Sequence, residues 1–174
     1  MQQHIKSTIQ LCLLKDSPET LPYSKPMLFG LIVLHFGLRW MGLNALPNTE
    51  NHDFFGITLL WMACSLGLVY LLLSLKGLKE RWFKVMLSLL SVDIFFLIIL
   101  QLGLMLSTTL SLTSLTALIV NGAVLWVLLV KGRIFKIALG TGMLVGIASA
   151  LMIEVLSNIP VTYVLVDVIE NMKV

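Results

Sequence analysis

Charged side chains are scarce in this sequence, since Asp, Glu, Lys and Arg make up only 12% of its residues while hydrophobic residues make up 58%. With a mean hydropathy of +0.98, the composition lies far outside that of soluble globular proteins. It predicts a multi-pass membrane protein whose surroundings are the lipid bilayer. Nothing in it suggests a nucleic-acid partner.

Motifs for catalysis and for metal binding are lacking as well. Cys12 and Cys64 lie at depths too different for a disulfide, and neither has metal-ligand spacing. His4, His35 and His52 lie at three different depths and cannot share one metal ion. There is no nucleophile elbow and no phosphate-binding glycine loop. We therefore expect no cofactor, no metal and no enzymatic activity, with an enzyme acting on lipid as a minor alternative.

Five apolar runs are each long enough to cross a bilayer, which needs about 20 residues. They cover residues 27–46, 54–75, 85–106, 110–130 and 137–157. The predicted fold is all-α, a bundle of five transmembrane helices over residues 27–157. An amino-terminal interfacial helix and a proline hinge (1–26) precede the bundle. An extracytoplasmic tail (158–174) follows it, either as a separate interfacial helix or as a continuation of the last span.

Basic residues predict the orientation of these spans. Ten of the twelve lysines and arginines fall in the head (residues 6–25) and in two alternate linkers, "KGLKERWFK" (76–84) and "KGRIFK" (131–136). The other two linkers have neither lysine nor arginine. By the positive-inside rule, the amino terminus is cytoplasmic and the carboxyl terminus lies outside. This topology requires an odd number of spans.

The stretch "DSPETLPYSKP" (16–26) holds three prolines, Pro18, Pro22 and Pro26, directly before the first apolar run. Upstream of it, apolar residues such as Ile5 and Ile9 recur at helical spacing, which predicts a short helix over residues 4–15 lying in the membrane interface. Pro26 suits the first turn of a spanning helix, where no hydrogen bond is lost. The stretch is either the hinge between these two helices or an ordinary connecting loop.

Two short segments echo each other: "RWFKVML" (81–87) and "RIFKIAL" (133–139) carry Arg, Phe and Lys in register. One interpretation is a parallel repeat of two helical hairpins, as in some transport folds. The other is that any cytoplasmic hairpin needs a basic, aromatic turn.

Polar residues within the apolar runs are the candidates for function, because their burial in lipid is costly unless they pair or face water. These intramembrane candidates are His35, Arg39, Asp93, Gln101, Asn121 and Glu154. Counted at about 1.5 Å per residue from the basic segments, His35, Asp93 and Asn121 are expected near the midplane. The other three are expected in the outer third of the membrane.

Two roles are open for these residues. They could hold the helices together by hydrogen bonds and by an Arg39–Glu154 ion pair, or Asp93 could relay protons or bind a cation as in carriers. A single carboxylate near the midplane favours the structural role. Gly142, Gly146 and Ala150 recur at four-residue spacing and predict a small-residue ridge against which another helix packs closely.

Five spans, a cytoplasmic amino terminus, a short leading helix and the hinge "SPETLPYS" resemble the Yip family and its small bacterial relatives. The resemblance implies an integral membrane protein that works through interaction rather than catalysis. It places the protein in the bacterial cytoplasmic (inner) membrane, or in the early secretory pathway of a eukaryote. Its expected partners are other membrane protein subunits or a second copy of itself. The long hydrophilic region with which eukaryotic members meet small GTPases has no counterpart in this sequence, and no functional residue is carried over.

Overall fold

The computed structural model describes residues 2–15, 17–18, 21, 24–44, 54–109 and 113–171. Within these ranges the regular structure is entirely helical, which confirms the all-α prediction. The α-helices are α1 (Gln2–Cys12), α2 (Lys25–Asn44), α3 (Phe54–Leu75), α4 (Trp82–Thr109), α5 (Thr113–Leu139) and α6 (Met143–Asn171). A 3-10 turn, Lys79–Arg81, leads into α4.

Among the described helices, three are long and apolar enough to cross a membrane, judged by length and composition. They are Phe54–Leu75, Lys79–Gly103 and Ala117–Leu139, and Met143–Ile159 forms a shorter apolar stretch of helix. These helices are compatible with a membrane protein.

Helix α2 begins as the proline stretch predicts. The Oγ of Ser24 accepts a hydrogen bond from the backbone N–H of Met27 at 3.3 Å, so Ser24 caps the helix. Pro26 follows in the first turn, where its missing N–H removes no helical hydrogen bond. The interpretation of Pro22 falls outside the described residues.

The predicted linker at residues 131–136 is wrong. Helix α5 continues through this segment to Leu139, and the turn comes at Gly140, whose φ of +64° favours glycine. The segment stays helical because its apolar residues are needed in the core: Ile134 and Phe135 are almost completely buried. Helix α6 runs without a break from Met143 to Asn171, so the predicted tail continues the last helix up to Asn171, which was one of its two alternatives.

The two echoing segments are not a parallel repeat. The first opens α4 and the second closes α5, so they lie side by side in antiparallel helices. Arg81 links them, because its Nη1 donates a hydrogen bond to the carbonyl oxygen of Ala138 at 2.9 Å. The last carbonyls of a helix lack helical partners and carry partial negative charge, so this arginine caps α5.

Helix α1 packs beside the middle of α4 and α5. The His4 Nε2 lies 3.2 Å from the Ser91 Oγ, and the Trp126 indole N–H donates to the carbonyl of Cys12 at 2.8 Å. Ser91 is nine residues, or about 14 Å, beyond the start of α4. The inner face of α1 is hydrogen-bonded and buried, and burial raises the pKa of the Cys12 thiol to about 12.

Helices α5 and α6 approach each other closely at two glycines. A Cβ at Gly146 would overlap the backbone of Gly132 and lie 2.8 Å from the backbone nitrogen of Lys136. A Cβ at Gly132 would lie 3.0 Å from the Cα of Ile147. Gly146 and the buried Ala150 therefore form the predicted ridge, whereas Gly142 precedes α6 and has open space around it.

Candidate functional site

The most heavily charged part of the described interior is centred on Lys131 of α5, a lysine with only 7% of its surface exposed. Its Nζ lies 2.7 Å from the Oδ1 of Asp93 on α4, and it also donates to the Oε1 of Glu154 on α6. One ammonium group thus joins two carboxylates and three helices. We call Asp93, Lys131 and Glu154 the charged triad.

Chain geometry explains why these three side chains meet. Asp93 and Glu154 each lie 11 residues beyond the first residue of their helix, and Lys131 lies eight residues before the last residue of α5. The start of α4 meets the end of α5 through the Arg81 contact, and the turn at Gly140 joins the end of α5 to the start of α6. At about 1.5 Å per residue, all three side chains lie roughly 12–17 Å from that end. Glu154 is therefore level with Asp93, and not in the outer third as predicted.

Arg39 of α2 lies beside the triad without joining it. Its guanidinium Cζ is 3.5 Å from the ring centroid of Trp61 on α3, a cation–π contact. The predicted Arg39–Glu154 ion pair is wrong, because Glu154 pairs with Lys131. Within the described residues the guanidinium has neither an ion-pair partner nor a hydrogen-bond acceptor.

His35, one helical turn before Arg39, is 1% exposed and lies against the same tryptophan, with 5.5 Å between the two ring centroids. Neither of its ring nitrogens has a hydrogen-bond partner in the described part of the chain. Buried polar atoms are normally paired. His35 is therefore the least satisfied polar side chain of this region.

Two cavities adjoin these residues. The smaller, about 20 Å³, touches His35, Trp61 and all three members of the charged triad, and has room for one water molecule. The larger, about 320 Å³, touches the same five residues and adds Arg39 at its polar end. Its remaining walls are apolar and come mainly from Phe96, Leu97, Leu100, Val124, Val127, Leu128 and Leu151. The result is a pocket with one charged end and one apolar end.

The two remaining candidates do not belong to this cluster. The Gln101 Nε2 donates to the Leu38 carbonyl at 3.3 Å and so links α4 to α2. Asn121 is exposed and donates to the carbonyl of Ala117 on its own helix at 2.9 Å. It lies ten residues, about 15 Å, from Lys131. The predicted midplane depth of Asn121 assumes that Lys131 marks the end of the span, whereas α5 continues to Leu139.

Sequence reasoning missed Lys131 and Trp61 as site residues. Lys131 was grouped with the linker because a glycine and an arginine follow it. A signal was nonetheless available, since Lys131 sits at helical spacing between the apolar residues Leu128, Ile134 and Phe135. Trp61 stands inside a continuous apolar run and carries no local signal of its contact with Arg39.

No protein-family model matches this chain, and neither the curated proteins nor the solved structures hold a match for it. Nor do three or more histidine, cysteine, aspartate or glutamate side chains come together as a metal site in the described ranges.

Proposed function

We propose that this chain is a non-enzymatic integral membrane protein of five spanning helices that acts as a scaffold or accessory subunit. The observation that carries the proposal is the charged triad, in which two carboxylates and a lysine from three helices satisfy one another. A charge buried in a low-dielectric interior is costly unless it is paired. Helices α4, α5 and α6 are thereby fixed relative to one another.

The five spans of the proposal are α2 to α6. Three of them meet the length and hydropathy of a membrane span. Helix α2 has 20 residues, about 30 Å, and the apolar stretch Met143–Ile159 lies in a helix of 29 residues. Five spans agree with the layout of the Yip family. The proposed interaction role and the proposed location in the bacterial inner membrane rest on that resemblance.

The proposed orientation has the amino terminus in the cytoplasm. Lys76, Lys79 and Lys84 lie at the end of the bundle where α3 ends and α4 begins, and Lys136 lies in the last turn of α5. Lys131 no longer counts toward this bias, because it is buried in an ion pair. A reporter fused after Lys84 should be cytoplasmic, and one fused at residue 174 should lie outside; a cytoplasmic carboxyl terminus would contradict five spans.

A second candidate is a small carrier or channel that uses Asp93 for proton or cation coupling, and two observations favour it. Asp93 and Glu154 share one lysine, so either carboxylate can take up a proton while Lys131 keeps a partner. His35 and the larger cavity lie next to them. A titratable group beside a cavity is what a proton-coupled site requires.

Replacing Asp93 separates the two candidates. Asp93→Asn keeps a side chain of the same size and leaves Lys131 paired with Glu154, so the fold should survive. The measurement is proton and cation flux in liposomes holding the parent or the variant. We expect no flux in either, together with a stoichiometric membrane partner in pull-downs from native membranes. Flux in the parent that disappears in Asp93→Asn would overturn the scaffold and support the carrier.

A further inference from the structure

Arg39 is the cation of this region that has no direct ion-pair or hydrogen-bond partner among the described residues, although the charges of Asp93 and Glu154 act on it across the cavity. Its five N–H donors have no acceptor there, and its recorded contact is with the ring of Trp61. Lys131 differs, because two carboxylates take up its hydrogen bonds. The two cations lie beside one cavity, yet only Arg39 is available to a ligand.

The cavity of about 320 Å³ fits a ligand with two unlike ends. It falls at the lower end of the usual range for ligand pockets, about 300–1,000 Å³. Arg39 lies at its polar end, and leucine, valine and phenylalanine side chains from α4, α5 and α6 form most of the rest. A charged head with an aliphatic tail would match both parts.

The charge and shape of the site restrict which head groups can bind there. A guanidinium binds a carboxylate through two parallel hydrogen bonds, a geometry that a lysine cannot offer. Asp93 and Glu154 line the same cavity and repel any anion, so a singly charged head group that pairs directly with Arg39 is favoured over a doubly charged one. An alcohol would leave the guanidinium without its anion.

We propose that this cavity binds a monocarboxylate with an aliphatic tail, and that Arg39 pairs with the carboxylate. The site goes beyond the proposed scaffold function and does not depend on it. Two sources can supply such a ligand: free fatty acid in the bilayer, or a carboxylate from solution.

Octanoate is the probe, titrated against the full-length protein in nanodiscs of zwitterionic lipid while tryptophan fluorescence is followed. A carboxylate that pairs with Arg39 alters the cation on the face of Trp61, so we expect a saturable change in emission that Trp61→Phe removes. Octanol has the same chain without the charge, and acetate has the charge without the chain. Each should bind at least tenfold more weakly than octanoate.

Variants test the two ends of the pocket separately. Arg39→Gln should weaken octanoate binding at least tenfold, and Arg39→Lys should restore part of it. Ala123→Leu, which keeps the arginine but fills part of the cavity, should exclude octanoate. Arg133→Gln removes an arginine that is not among the lining residues and should bind like the parent.

The outcomes are distinct. Equal binding of octanoate and octanol by the parent would overturn the proposal even if no variant folds, and so would unchanged octanoate affinity in Arg39→Gln. Tighter binding of oleate placed in the nanodisc than of octanoate supports the site and assigns the ligand to the bilayer; the reverse supports it and assigns the ligand to solution. Absence of ion flux would leave this result untouched, so the site and the scaffold function fail separately.

Discussion

Two groups of polar side chains lie at nearly the same depth and behave differently. On α4, α5 and α6, the charged triad is closed on itself, with Lys131 between Asp93 and Glu154. On α2, His35 has two unpartnered ring nitrogens, and Arg39 meets the face of Trp61 without an anion among the described residues. The first group uses its charges to join helices. The second leaves hydrogen-bonding capacity unused beside a cavity, and that is where a ligand would bind.

The largest effect is expected from breaking the closed group at its centre. Lys131→Met leaves two partly exposed carboxylates without their common partner. Removal of one member of a fully buried ion pair costs about 3–5 kcal/mol, and the 16% and 34% exposure of the Asp93 and Glu154 side chains lowers that cost. We expect a large loss of stability, measured by thermal unfolding in detergent. The matched control, Lys136→Met, replaces an exposed lysine on the same helix and should melt like the parent; equal melting of the two variants would mean that the triad does not stabilise the bundle.

A smaller effect is expected at the glycine contact next to the triad. Gly146→Leu forces α5 and α6 apart, because even a Cβ there overlaps backbone atoms. Overpacking of this kind costs about 1–3 kcal/mol. Gly67→Leu is the control, since Gly67 of α3 has open space around it, and thermal unfolding in detergent compares the two. If Gly146→Leu is no less stable than Gly67→Leu, the close approach of these helices is wrong.

The smallest effects distinguish a hydrogen bond between helices from one within a helix. Gln101→Leu removes the bond from α4 to the Leu38 carbonyl of α2 and should cost about 0.6 kcal/mol, the average for such bonds in membrane proteins. Asn121→Leu removes only a bond to its own helix and should change stability by less than about 0.5 kcal/mol. Paired unfolding curves in detergent test this order, and a larger loss for Asn121→Leu would reverse it.

Sequence reasoning succeeded where the signal is local. The bounds of α3, 54–75, were predicted correctly because a charged residue adjoins the apolar run at each end, Asp53 and Lys76. The place of Pro26 in the first turn of α2 follows from the missing N–H of proline. Gly146 and Ala150 were recognised by their four-residue spacing alone.

Reasoning failed where partners are distant in sequence. Lys131 is stable inside the bundle only because Asp93 and Glu154, 38 residues before and 23 residues after it, arrive at the same depth. A pattern that treats each lysine as the end of a span cannot show this. The assumption that Lys131 ends a span also affected the predicted end of α5, the predicted depth of Asn121 and the predicted partner of Arg39. The position of α1 against the bundle depends likewise on contacts with Ser91 and Trp126, far along the chain.

The central claim is that the charged triad stabilises the bundle as a unit, and its most direct test compares one variant with three. Lys131→Met alone strands two carboxylates, whereas Lys131→Met combined with Asp93→Val and Glu154→Leu removes every charge of the triad. Apolar replacement of a complete buried ion-pair set is often neutral or stabilising. Thermal unfolding in detergent should therefore show the triple variant melting above the single variant, and below the parent because Arg39 loses the two carboxylates whose charges act on it. A triple variant less stable than Lys131→Met would contradict the claim, since each residue would then stabilise the protein separately.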